Sequence, residues 1–492
     1  MFAKPHLDDR SEMPLYRQLH DEIRDSIRSG RLAKGEKLPP TRSLAGLLGL
    51  NRTTVSAAYA LLESEGWIRG HVGRGSFVTG EPSGEVSRLD WDQLLAGGPT
   101  VPAPPEPAAT PVISFGTSRP SEALFPLDAF RASCQEVLRD ADLAGILQLG
   151  SPGGYPPLQR YLLEEGRRAG WARPSDDILI TSGCQQAMDL IQRVLVRPGD
   201  TIALEDPVFP GLRNLFLRAS AHLLGVPVGP EGMEVEELER LLAGHRVRLV
   251  VVGSSFQNPT GTTLPPAARR TLLRLARAFG AVVVENDIYG DLRYRGEDVP
   301  LVKRLDASGD TVLVGSFSKI TFPGLRVGWV VGPRPLVSRL AEAKQWTDLH
   351  SDQLAQAVLL RFAESGRLEE HGRRVRAEGR ERLEAVLAAC AEHLPEGSTY
   401  TRPEGGMNLW VRLPEPLDTG ELLPRAQREG ASYLPGCYFE VSRRHRSSLR
   451  LSFASVAPEK IRAGLAALGR VFGEAVERGR SFERRASVPA MV

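Results

Sequence analysis

Cysteine is scarce in this chain: four in 492 residues, Cys134, Cys184, Cys390 and Cys437, far apart and forming no CxxC pair. That spacing excludes a disulfide framework and a cysteine-held zinc; no metal site is expected, and a reducing compartment fits best. Long hydrophobic runs are missing as well. No stretch approaches the roughly 18 apolar residues that span a bilayer, and acidic and basic residues already mix within the first dozen positions. No membrane partner is therefore expected, and the cytoplasm is the default location. Charge of one sign is equally absent, with 62 Lys+Arg against 60 Asp+Glu and a formal net charge of +2. A nucleic-acid partner has to be argued from a local patch and not from the overall field.

What the chain has is length and apolar content: 492 residues at 41% hydrophobic, enough for about three domain-sized units. The clearest boundary runs over 97–111, where Gly97-Gly98-Pro99 is followed by prolines at 102, 104, 105, 107 and 111. Such density favours extended, semi-rigid chain. Residues 81–111 thus read as a linker between a short region, 1–80, and a long one, 112–475, followed by a basic tail, 476–492, that includes Arg478, Arg480, Arg484 and Arg485.

Before the linker, Leu15, Leu19, Ile23 and Ile27 recur every four residues and the pattern stops near Gly30, which predicts a first helix. Pro39-Pro40 opens a second with Leu44, Ala45 and Leu48 inward, and after Gly49 a third carries Val55, Ala58, Tyr59 and Leu62 at i, i+3, i+4 and i+7. Gly66-Trp67-Ile68 and Ser76-Phe77-Val78 read as brief strands around a tip at 71–75, a hairpin. A helix, a helix-turn-helix and a hairpin make a winged helix. There the first turn of the third helix faces base edges in the major groove, and Asn51, Arg52, Thr53 and Thr54 occupy it. Arginine suits a guanine edge, and asparagine or threonine suits bases or phosphates. Arg42, opening the preceding helix, can reach the backbone, and Arg74, between glycines at the wing tip, can approach the minor groove. Each has an ordinary alternative: Asn51 or Thr53 can simply cap a helix, and a lone arginine is usually solvated.

Beyond the linker, apolar runs at 178–180, 201–204, 249–252, 281–284 and 311–314 alternate with helical patterns, so an α/β domain on a largely parallel sheet is expected. From about Trp346, long charged helices mix with short strands around 409–411 and 449–453, a smaller α+β subdomain. Pyridoxal 5'-phosphate (PLP) asks four things of a protein: an amine for a Schiff base, an acid facing the pyridine nitrogen, a phosphate cup and a flat partner for the ring. Candidates for all four are present. Lys319, in Ser316-Phe317-Ser318-Lys319 after an expected strand, is the candidate Schiff-base lysine, with the hydroxyls of Ser316 and Ser318 near an anion. Arg326 offers a charge-assisted phosphate contact. Asp287 can keep the pyridine nitrogen protonated, while Tyr289 and Asn258 can bond the phenolic oxygen. Gly183, Cys184 and Gln185 sit between a strand and a helix, where free N–H groups and the helix dipole favour phosphate. Phe209 is placed to stack on the ring. Singly, each has a plain alternative, as surface lysine, turn or core phenylalanine; their order and strand-end placement are what chance supplies poorly.

Two resemblances add to this. Residues 14–79, from Pro14-Leu15-Tyr16 through Leu38-Pro39, Thr41-Arg42-Ser43-Leu44-Ala45 and Arg52-Thr53-Thr54-Val55 to Gly73-Arg74-Gly75-Ser76-Phe77-Val78, resemble the GntR-family DNA-binding domain. Residues 112–470 resemble the fold-type I, class I/II aminotransferases, in which the matching residues do the work just described. Arg450, in Leu449-Arg450-Leu451-Ser452-Phe453, matches that family's substrate-carboxylate arginine, against the alternative of a surface charge on a strand edge. Leu149 departs from the pattern, standing where many relatives carry an aromatic that helps hold phosphate across a dimer interface. Cys184 replaces a small or hydroxyl residue, which leaves a backbone N–H contact available.

In this order, reader, linker and PLP domain resemble the MocR subgroup of GntR-family regulators over nearly the whole chain. The resemblance implies a head-to-tail homodimer with PLP on Lys319 and double-stranded operator DNA with repeated half-sites. It also implies a small amine or amino-acid effector, or PLP itself, that alters DNA binding. The expected fold class is α/β multidomain: an N-terminal winged helix-turn-helix, then a fold-type I PLP-dependent aminotransferase-like domain with a mixed, largely parallel sheet and a small α+β C-terminal subdomain. The intact PLP residues also permit an alternative reading, an active PLP-dependent aminotransferase carrying an accessory DNA-binding domain. A third reading, a cofactor-free dimerisation scaffold, is opposed by the presence of both Lys319 and Asp287.

Overall fold

The structure, a computed structural model, describes residues 7, 11, 13–71, 75–80, 91 and 112–486, with side chains to 478. The chain divides into two units, Met1–Gly98 and Pro99–Val492. The expected linker lies, Trp91 apart, outside the described residues, as do the wing tip at 72–74 and with it Arg74.

The first unit is built from helices α1 (Leu15–Arg28), α2 (Thr41–Leu48) and α3 (Arg52–Ser64) and strands β1 (Ile68–His71) and β2 (Gly75–Val78). The four-residue apolar spacing of α1 buries Leu19, Ile23 and Ile27 against Leu44, Val55, Ala58 and Leu62. Gly49, at φ 70°, ends α2 in the left-handed conformation that glycine tolerates. Tyr59 donates from α3 to the Pro39 carbonyl at 2.8 Å, so the third helix is tied to the turn that opens the second. The strands pair antiparallel, Ile68 opposite Val78 and His71 opposite Gly75. β1 starts two residues later than the aromatic Gly66-Trp67 suggested.

The second unit begins with β3 (Ile113–Ser114) and is centred on an eight-stranded sheet. Its strands are β4 (Asp176–Thr181), β5 (Thr201–Asp206), β6 (His222–Gly229), β7 (Gly232–Met233), β8 (Val247–Val252), β9 (Val282–Asn286), β10 (Val312–Ser316) and β11 (Gly328–Pro333). They run in the order β4-β11-β10-β9-β8-β5-β6-β7. β11 is antiparallel to both neighbours and β7 to β6; the remaining pairs are parallel. The valine-rich runs follow from burial on both faces: Leu249 and Val251 of β8 enter one core, Val250 and Val252 the other. Each such side chain contributes roughly 1.5–3 kcal/mol when fully buried.

The smaller layer holds β12 (Thr399–Tyr400), β13 (Asn408–Arg412), β15 (Leu434–Pro435) and β16 (Ser448–Ser452) in the order β12-β13-β16-β15. Beside it β14 (Ala431–Ser432) pairs in parallel with β3, so residues entering from the linker side close this C-terminal layer. The long helices Arg367–His393 and Pro458–Ala486 share its core through Leu383, Val386, Leu465 and Phe472. The segment set apart as a basic tail from 476 starts inside that last helix, which runs to Ala486.

Candidate functional site

On the reader, Asn51 caps α3: its side chain accepts from the Thr53 N–H at 3.2 Å. One side-chain oxygen is thereby committed locally, a contribution of about 1 kcal/mol. Thr53 is exposed and Thr54 half-buried beside it. Arg42 and Arg52 are exposed, each without a hydrogen bond or ion pair among the described residues. Two free guanidiniums and a threonine pair thus flank the start of α3, the edge that a helix-turn-helix offers to DNA.

In the second unit, Cys184, Gln185, Phe209, Asn258, Tyr289, Lys319, Arg326 and Arg450 line one cleft of about 410 Å³ beyond the carboxyl ends of the parallel strands, where open α/β sheets hold ligands. A single 3-10 turn, Phe317–Lys319, follows β10 and carries Lys319. Ser316 fixes this turn by accepting from the Ser318 N–H at 3.1 Å and donating to the Val327 carbonyl at 3.2 Å. Its hydroxyl is therefore engaged with backbone, and neither serine is among the residues that line the cleft. Lys319 Nζ donates to the Ser118 carbonyl at 2.8 Å and lies 5.5 Å from the centre of the Tyr289 ring.

Gly183, at φ 79°, opens the helix Cys184–Leu195. A Cβ there would overlap the Arg326 guanidinium, so glycine leaves room for this cation at a helix N-terminus. Arg326 itself holds φ 54°, a conformation that costs a residue with a side chain on the order of 1 kcal/mol. Strain, cation and helix start coincide where a phosphate would sit. Cys184 and Gln185 line the same wall. Burial pushes the Cys184 thiol up, so it is neutral there.

Asp287 follows β9, between Asn286 and Ile288, which line the cleft. Its Oδ1 is sealed from solvent and has no hydrogen-bond partner. Burial first, then the Glu285 and Asp291 carboxylates, push it up to about 8. A buried carboxyl with an open lone pair fits a protonated ring nitrogen, which would supply the missing cation and donor. Tyr289 and Asn258 converge, Asn258 Nδ2 donating to the Tyr289 hydroxyl at 3.2 Å. Phe209 lines the cleft with 44% of its surface exposed, which leaves a ring face for stacking.

Arg450 lies on β16, between β13 and β15, and is only 3% exposed, so the strand-edge surface charge is ruled out. It donates to Asn258 Oδ1 at 3.0 Å and to the Gly116 carbonyl, and its guanidinium lies 5.2 Å from the Phe439 ring centre. Burial pushes it down to about 10, opposed by Tyr289. It stays cationic near neutrality.

Several residues of the cleft had no sequence signal. Ser118, 171 positions from Tyr289, meets its hydroxyl at 3.2 Å. Glu205, at the end of β5, accepts from the Gly253 N–H at 3.0 Å, and burial pushes it up to about 8.

Comparison with known proteins follows the same division. Residues 15–78 match the bacterial regulatory proteins of the gntR family, and residues 125–468 match aminotransferase class I and II. YdfD, an HTH-type transcriptional regulator of Bacillus subtilis, is 30% identical over 96% of this chain and 99% of its own. The probable rhizopine catabolism regulatory protein MocR of Rhizobium meliloti is 30% identical over 95% of each. Among solved structures, kynurenine aminotransferase of Pyrococcus horikoshii, in complex with PMP, superposes with a TM-score of 0.73 at 36% identity over 75% of this chain and 92% of that one.

Proposed function

The chain belongs to the MocR-type HTH regulators, in which a gntR-family DNA-binding domain is joined to an aminotransferase class I and II domain, and from that membership we propose that it is a PLP-dependent transcriptional regulator whose large domain senses an amino compound or PLP itself and alters operator binding. The observation that supports the reading is the presence, on one chain, of a reader with Arg42 and Arg52 unpaired among the described residues and of a cleft lined by Lys319, Arg326 and Arg450, with the buried Asp287 carboxyl between the lining residues Asn286 and Ile288.

PLP is the cofactor. When bound, it supplies an aldehyde that amines condense with and an electron-withdrawing ring. Lys319 is the amine that takes it, Asp287 faces its ring nitrogen, and Tyr289 with Asn258 meets its phenolic oxygen. Phe209 covers its face, and Arg326 with the Gly183-Cys184-Gln185 helix start holds its phosphate. Arg450, buried and cationic, binds an effector carboxylate. On the reader, Arg52, Asn51, Thr53 and Thr54 face bases, with Arg42 and Arg74 on the backbone and minor groove.

The regulator acts as a head-to-tail homodimer on repeated half-sites. Support comes from exposed apolar side chains on the large unit: Leu147, Leu149 and Leu349 are each more than half exposed. Gln353 Nε2 bonds the Ile146 and Gln148 carbonyls, which holds the 147–149 segment beside the helix that follows Leu349. Such a patch is what a second copy would cover. An effector must bind the two DNA-binding states unequally to act, and a fivefold change in affinity needs about 1 kcal/mol of coupling.

The test is the affinity of the full-length protein for DNA upstream of its own gene, with and without PLP and a panel of amino acids. A severalfold shift with PLP or one amine is expected. Affinity and footprint unchanged by PLP and by every amine would overturn the reading. Steady transamination with kcat on the order of 1 per second or more would favour an enzyme with an accessory reader.

A further inference from the structure

A second cleft, of about 750 Å³, opens beyond the end of β6 and is walled by β12, β13 and the loop that precedes β16. Its chemistry is unlike that of the first. That loop reads Ser442-Arg443-Arg444-His445-Arg446, and its backbone is held by one buried carboxylate. Asp206, 2% exposed, accepts from the N–H groups of Val441 at 3.2 Å, Ser442 at 2.8 Å and Arg443 at 2.8 Å, and meets His445 Nε2 at 3.0 Å. Ser442 Oγ also takes the Gly225 N–H at 2.9 Å.

The loop is anchored while its cations are not. Arg443 and Arg444 are exposed and have no ion pair among the described residues. Arg402 lies over the Tyr400 ring, 5.2 Å from its centre, and likewise has no carboxylate partner. Of the cleft acids, Glu415 pairs with Arg412 and Asp206 is occupied by the loop. Three guanidiniums without an ion pair among the described residues therefore face Glu234 in the cleft wall, while Glu237, outside that wall, feels the charge of Arg443. Trp410 adds an aromatic surface, set edge-on to Phe439 and His445.

We propose that this cleft is a second ligand site that takes phosphate esters, with Arg443, Arg444 and Arg402 as its phosphate ligands and Tyr400 and Trp410 as its aromatic wall. Guanidinium forks match phosphate oxygens in pairs. Because the backbone carrying Arg443 is already fixed by Asp206, less ordering accompanies binding. The esters can come from free nucleotides or from the backbone of a nucleic acid, and the two sources are separable by experiment.

Full-length protein is titrated calorimetrically with ATP and, separately, by anisotropy with a random-sequence DNA duplex over a salt series. The same titrations are run on R443A/R444A and R443K/R444K. If free nucleotides are the source, ATP binds the wild type and its affinity falls at least about tenfold in R443A/R444A. If DNA is the source, the slope of log K against log salt falls by about 2 in that variant, and the lysine variant restores most of it. Loss in either arm supports the site and names its source. If ATP affinity, duplex affinity and the salt slope are all the same in R443A/R444A as in the wild type, the site is overturned. Both side chains are exposed and unpaired, so an unchanged melting temperature serves as the folding control. The ATP arm uses neither the reader nor Lys319, so its failure is distinct from failure of the regulatory reading.

Discussion

The two functional regions solve recognition in opposite ways. On the reader, Arg42, Asn51, Arg52, Thr53 and Thr54 come from one stretch of 13 positions and stand largely in water. In the PLP cleft the groups come from Gly116 to Arg450 and are locked to one another, Arg450 to Asn258, Asn258 to Tyr289, and Tyr289 to Ser118. Exposed cations recognise through long-range attraction and rearrange cheaply, so single losses are graded. Buried polar groups are costly unless satisfied, so a change at one leaves its neighbours unpaired. Substitutions should be local in the reader and far-reaching in the cleft.

The largest expected effect separates the two regions outright. Lys319→Ala should abolish the absorbance band that the PLP-loaded protein shows near roughly 420 nm, while ligand-free DNA binding stays within about twofold. A collapse of DNA binding in this variant would mean that the regions are not independent. Next, Arg52→Ala should weaken operator binding by about 1–3 kcal/mol and relax base preference at one position, whereas Arg42→Ala should weaken all sequences alike and lower the salt slope by about 1. Identical behaviour of the two variants across a set of operator mutants would remove the division between base and backbone contacts.

A third prediction concerns Asp287, whose carboxyl is raised from 3.8 to about 8. Across that window the folded chain keeps a proton that the unfolded chain releases, so folding without cofactor loses stability as pH rises. Asp287→Asn removes this dependence. Its melting temperature should gain on the wild type from about pH 4 to 8 and then level off, and saturating PLP should reverse the order by stabilising the wild type more. Parallel pH profiles for the two proteins would show that the buried carboxyl does not titrate in this range. The smallest effect is at Asn51, where Ala should cost the reader about 1 kcal/mol and Ser should cost little. If Asn51→Ser nevertheless lowers operator affinity with stability intact, Asn51 touches a base in addition to capping α3.

Much of the second unit was legible because the strands buried on both faces read as unbroken valine and leucine runs. β6 and β11 escaped notice for a physical reason. β6 is broken by Gly225 and Pro227, and in β11 the short run Trp329-Val330-Val331 is closed in by Gly328 and Gly332-Pro333. β11 also runs antiparallel inside a largely parallel sheet, a position set by its neighbours and not by its own residues. The capping role of Ser316 was not legible, because capping of a one-turn helix depends on how the chain turns after β10.

What the sequence by itself determined was whatever short-range pattern controls: the reader's three helices and hairpin, the alternation of strand and helix, and Lys319, Asp287 and Arg326 at strand ends. Periodicity and turn chemistry act over a few residues, so they can be read along the chain. Tertiary structure alone decided that β3 closes the C-terminal layer, that Gly116 and Ser118 meet Arg450 and Lys319, and that Asp206 clamps a basic loop 235 or more positions away. Those contacts exist because burying apolar surface brings distant segments together, and only then must each buried polar group find its partner.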